Sequence, residues 1–149
     1  MTTIGLVSIE VTTVLVLAAA SIDGQRGVVP NLLTYPASAV LLLCAMADGR
    51  VLQSLTGAVA VASPLTLLYF ITRRRGMGLG DVKLAVCIGA GIGPSAGLLA
   101  LGAAFVSGGV AAAALLGTRR CRVGEKIPFA PFLALGTVTA GVFYPALRP

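Results

Sequence analysis

Apolar residues in this chain come in long runs, broken by short polar or glycine-containing stretches. Six runs can be drawn, roughly at 4–22, 32–47, 54–72, 82–95, 97–117 and 128–146. About 20 apolar residues cross a bilayer as a helix. The pattern therefore predicts an all-α membrane protein, a bundle of about six transmembrane helices, with residues 1–149 forming a single domain. Gly93, Pro94 and Ser95 predict a tight turn between the fourth and fifth helices. The other breaks carry the charge.

That charge is unevenly shared. The breaks after the first, third and fifth runs hold Arg26, then Arg73, Arg74, Arg75 and Lys83, then Arg119, Arg120, Arg122 and Lys126, while the opposite side holds Arg50 and Arg148. Basic residues concentrate in cytoplasmic loops. The asymmetry predicts both termini outside, three cytoplasmic breaks, and residence in a cytoplasmic (inner) membrane. Composition agrees: 57% of residues are hydrophobic and 11% charged, and mean hydropathy is +0.99. A soluble domain carries about 25% charged residues. The net charge of +6 then reads as loop charge, and nucleic acid is not an expected partner; the lipid bilayer is. No basic residue precedes the first apolar run, which argues for a retained first span over a cleaved signal. Cys44, Cys87 and Cys121 lack metal-ligand spacing and read as structural.

Helix parity puts two carboxylates at one membrane face. Asp23 ends the first predicted span and Asp81 begins the fourth, both on the cytoplasmic side. About 14 residues separate Asp81 from the Gly-Pro turn, roughly 21 Å of helix, against a hydrocarbon core of about 30 Å. Asp81 is thus expected below the inner surface, with the "GMGLG" stretch at 76–80 dipping in as irregular backbone. Such backbone must be covered by protein or line a wet cavity. Small residues recur at Gly89, Gly93, Gly97, Ala100, Ala104, Gly108 and Ala112. Their spacing predicts close helix packing, the alternative being a groove for a guest helix.

The chain has no histidine, which removes Ser-His, Cys-His and H-E-x-x-H zinc chemistry. A Ser-Lys dyad has only Lys83 and Lys126 to draw on, and too few ligands share a face to bind metal. Asp48, beside Arg50, reads as a solvated loop residue, and Glu125, beside Lys126, as a surface charge. Glu10 falls within the first run. Either that span starts later or Glu10 faces the bundle interior, where an ionisable group is a functional candidate. Alone, Asp23 also reads as a turn residue and Asp81 as a helix N-cap. Together they suit paired-carboxylate hydrolysis, in which one carboxylate takes a proton from water and the other donates one to the carbonyl.

Three segments carry a family resemblance. "GLGD" at 78–81 resembles the Gly-x-Gly-Asp signature of type IV prepilin peptidases. "DGQRGVVPNLLT" at 23–34 resembles the segment that holds that family's first catalytic aspartate, and "IPFAPFLALG" at 127–136 its last-helix segment. They occur in family order. The resemblance implies an intramembrane aspartyl endopeptidase with Asp23 and Asp81 as the catalytic pair. Gly78 and Gly80 would shape the active-site loop, and Lys83 would sit beside it. It implies a prepilin-like substrate cut at the cytoplasmic face, with no metal or cofactor.

Larger members carry a Cys-x-x-Cys cytoplasmic insertion and also methylate the new N-terminus. Here the first span runs straight into Asp23, which puts the methyltransferase activity in doubt. The short form resembles peptidases of tight-adherence (Flp-type) pili or preflagellins. Ala130 stands where many members have glycine. Two rival readings are a transporter using Asp23 and Asp81 as a proton relay, and a non-catalytic pilin-assembly factor. Oligomeric state is left open.

Overall fold

The computed structural model describes residues 3–26, 31–72, 78–118 and 129–147. These form six helices: α1 (Thr3–Arg26), α2 (Asn31–Ala47), α3 (Val51–Ile71), α4 (Leu79–Ile92), α5 (Pro94–Gly117) and α6 (Ala130–Leu147). No strand occurs among the described residues. Two of the helices, α3 and α5, are long and apolar enough to cross a bilayer by length and composition.

The helix ends follow local chemistry and correct three sequence boundaries. Helix α1 continues past the apolar run to Arg26, so Asp23 lies within its last turns; a polar side chain does not interrupt the backbone ladder. Helix α4 starts at Leu79, so Leu79 and Gly80 of the glycine stretch are helical, not irregular. It stops at Ile92 because Gly93 takes φ +83°, a left-handed conformation that suits glycine. The Gly93 N–H closes on the Gly89 carbonyl at 3.0 Å, and the Gly93 carbonyl accepts from Gly97 at 3.0 Å. Pro94 then opens α5 at a position where its missing N–H costs nothing. The predicted turn is thus a single residue.

Between α2 and α3, Gly49 takes φ +66°. The Arg50 N–H bonds the Ala45 carbonyl at 2.8 Å and the Gly49 N–H bonds the Met46 carbonyl at 3.2 Å. This paired pattern is a Schellman cap. Asp48 sits at its corner and is not solvated: its side chain is 2% exposed and ion-paired to Arg50 at 2.6 Å. The cap folds Arg50 back over the carboxylate.

The shortest helix, α4, packs against every other helix. Leu84, Ala85, Cys87 and Ile88 are fully buried in the common core. Glycine permits this crowding. A Cβ at Gly57 of α3 would collide with the Gly89 carbonyl oxygen of α4, and one at Gly89 with the Gly57 carbonyl oxygen. Likewise Gly136 of α6 lies against the Ala100 backbone of α5, and a Cβ at Gly97 would meet Val61. The small-residue repeat therefore makes helix contacts, with Gly57 and Gly136 as partners the repeat did not include. Glu10 fits neither sequence alternative: α1 begins before it, and its side chain is exposed.

Candidate active site

Residues on α1 that face the core recur at helical spacing: Ser8, Thr12, Val16, Ala19 and then Asp23. Asp23 continues an inward stripe, and its side chain is carried into the bundle with the rest. On α4, Asp81 precedes Leu84, Ala85 and Ile88 on a buried face. Each aspartate is only 7% exposed.

Their meeting follows from register. Towards the far end of the two helices, a Cβ at Gly91 would overlap the Thr12 hydroxyl, so α1 and α4 touch there. From Thr12 to Asp23 the chain climbs roughly 16 Å, and from Gly91 to Asp81 roughly 15 Å, at 1.5 Å per residue. Antiparallel helices joined at Thr12 and Gly91 thus bring both carboxylates to one level. They lie close enough for the charge of Asp23 to act on Asp81.

Backbone at a helix start flanks each carboxylate. Asp23 Oδ2 accepts from the Ala130 N–H at 3.4 Å. Ala130 opens α6, and its position is held by an aromatic cluster: Phe129 packs on Phe105 with ring centres 5.4 Å apart and on Phe132 at 6.3 Å. Gly108 leaves room for Phe129 and Phe132. Asp81 Oδ2 lies beside the Gly78 backbone at the start of α4. Gly78 is the N-cap of α4, so Asp81 is the third helical residue, not the cap. A carboxylate at that position suits the positive end of the helix dipole. Gly78 has ordinary extended dihedrals, φ −81° and ψ 146°. A Cβ there would stand 3.5 Å from Asp81 Oδ2.

The remaining expected residues divide. Gly80 is half-buried in the first turn of α4. Lys83 turns toward α2, where its Nζ donates to the Tyr35 hydroxyl at 3.2 Å. Sequence reasoning missed the Ala130 N–H and Tyr35. The "IPFAPF" segment marked the first only as a motif, and Tyr35 gave no local signal. Gly76 and Met77, the arginines at 73–75 and 119–122, Cys121, Glu125 and Lys126, residues 27–30, Ile127, Pro128 and Arg148 lie outside the described residues. Two buried carboxylates on a common level, neither paired with a described cation, form an arrangement able to hold and polarise a water.

The profile of the type IV leader peptidase family matches residues 11–113. Three curated relatives are each named prepilin leader peptidase/N-methyltransferase. The protein of Dichelobacter nodosus is 30% identical over 125 residues, covering 80% of this chain and 42% of the relative. That of Pseudomonas aeruginosa is 28% identical over 125 residues, covering 80% and 43%. That of Burkholderia pseudomallei is 32% identical over 126 residues, covering 80% and 41%. The chain therefore spans less than half the length of the relatives it matches. No solved structure matches it significantly. With the family profile spanning both aspartates, the chain belongs to the type IV leader peptidase family.

Proposed function

We propose that this chain is an intramembrane aspartyl endopeptidase that removes leader peptides from prepilin-like proteins, with Asp23 and Asp81 as the catalytic pair. The observation that carries the reading is the burial of both carboxylates at one level of the bundle, on helices α1 and α4. Two close carboxylates resist joint ionisation and share a proton. The ionised one takes a proton from a water between them as the water oxygen attacks the scissile carbonyl carbon. The protonated one gives its proton to the carbonyl oxygen. When the tetrahedral intermediate collapses, the C–N bond breaks and the amine leaves with a proton from the pair. The products are a leader with a new carboxyl group and a pilin with a new amino terminus.

The membrane reading completes the proposal. The six helices lie as a bundle in a cytoplasmic membrane, with both termini outside and the active site toward the cytoplasm. The lysine and arginine asymmetry supports this orientation. The step from Asp81 to Gly93 climbs roughly 18 Å, short of a hydrocarbon core of about 30 Å. With Gly93 at the outer surface, Asp81 lies below the inner one, and the bundle excludes lipid from it. Gly78 and Gly80 leave the approach to Asp81 without bulky side chains, as an extended substrate backbone requires.

The test is cleavage of a prepilin co-expressed with the protein in membranes. The wild type is expected to yield the shortened pilin, and Asp23→Asn and Asp81→Asn each to lose about a thousandfold or more of that rate. Normal cleavage by either variant overturns the pairing. A wild type that cleaves no prepilin but carries a proton or cation flux establishes the transporter reading in its place.

A further inference from the structure

Asp81 faces Asp23 only while α4 keeps its rotation about its own axis. Gly57 against Gly89 sets the α3 side of α4 by close backbone contact. The α2 side of α4 differs. Lys83 Nζ donates to the Tyr35 hydroxyl at 3.2 Å and also lies 4.9 Å from the centre of the Tyr35 ring. One turn further along α4, Cys87 Sγ and Ser38 Oγ are 3.2 Å apart. Cys87 Sγ also donates to the Thr34 carbonyl oxygen at 3.7 Å. Lys83 and Cys87 are four residues apart, as are Thr34 and Ser38, so one polar seam runs along both helices.

The seam has a rotational consequence. Residues two apart on a helix point about 200° apart. Drawing Lys83 toward α2 therefore turns Asp81 away from α2 and toward α1. Tyr35 is 61% exposed, so its hold on the ammonium comes from hydroxyl and ring rather than from burial. A hydrogen bond and a cation–π contact act on the same charge.

We propose that Tyr35 is a positioning residue for peptide cleavage: it holds Lys83 on the α2 side of α4 and thereby sets the rotation that presents Asp81 to Asp23. The inference rests on the peptidase reading. Tyr35 touches neither the scissile bond nor the water; it acts through α4.

Steady-state cleavage and a cross-linking measurement test it. Tyr35→Phe keeps the ring and removes the hydroxyl, and it is expected to lower kcat about tenfold with KM within about twofold. Tyr35→Leu and Lys83→Met are expected to fall further and to similar levels, and the double variant to match Lys83→Met alone. Independently of catalysis, cysteines placed by Asp23→Cys and Asp81→Cys, in a background lacking Cys44 and Cys121, are expected to cross-link several-fold more slowly once Tyr35→Leu is added. Wild-type kcat in both Tyr35 variants overturns the proposal. So does a double-variant defect equal to the product of the single defects, or cross-linking that ignores Tyr35. If the wild type cleaves no prepilin, the peptidase reading itself fails, and the cross-linking rate alone decides whether Tyr35 sets the rotation.

Discussion

The Asp23 carboxylate accepts a hydrogen bond from the backbone N–H of Ala130, 3.4 Å away and 107 positions along the chain. This contact fastens the first helix to the last at the level of the carboxylate pair. Ala130 is the first residue of α6, where proline is tolerated because that N–H has no partner within the helix. Ala130→Pro should therefore remove the donor without breaking the helix. We expect leader cleavage to fall about tenfold while circular dichroism and thermal midpoint stay near wild type. Ala130→Gly, which keeps the N–H, should cleave normally. Equal rates in the proline and wild-type proteins would remove Ala130 from any part in holding Asp23.

The backbone contact between Gly57 and Gly89 predicts a loss of stability on enlargement. Each Cβ would strike a carbonyl oxygen, which cannot rotate away as a side chain can. Gly57→Ala and Gly89→Ala are each expected to destabilise by about 1–3 kcal/mol, measured by denaturant unfolding in detergent. Gly102→Ala is the control, since a Cβ there meets nothing within 4 Å. It should be neutral or slightly stabilising.

At the opposite end of the bundle, the buried Asp48 carboxylate accepts from Arg50 Nε at 2.9 Å. Asp48→Asn should cost about 1–3 kcal/mol, with kcat for leader cleavage unchanged. Unaltered unfolding in that variant would mean that the pair contributes nothing net.

Thiol labelling separates the two described cysteines. Cys87 is fully buried, whereas Cys44 is half-buried. In a Cys121→Ser background, a maleimide should modify Cys44 first, and Cys87 at a comparable rate only after denaturation. Equal native rates would place Cys87 outside the core.

Helix number, helix order and the candidate aspartates were legible from local cues. Run length marked the helices, the Gly-Pro pair marked the α4–α5 turn, and the scarcity of charge drew attention to Asp23 and Asp81. Other details were not. Asp48 looked solvated because a turn aspartate beside an arginine usually is; only the Schellman cap folds the arginine over it. Glu10, inside an apolar run, read as either outside the first span or inward-facing, yet α1 begins before it and turns it outward.

Chain-local information thus sufficed for the six described helices, for placing both carboxylates near helix ends that share one end of the bundle, and for the motifs that carry the family resemblance. Each depends on residues a few positions apart. Tertiary structure alone decided that Thr12 meets Gly91, that Asp23 and Asp81 consequently share a level, and that Lys83 turns to Tyr35. It alone paired Gly57 with Gly89 and Gly136 with Ala100. The reason is physical. A helix that is apolar nearly all round declares no face of its own. Its rotation and register are set by close backbone contact and a few polar contacts with residues distant in sequence.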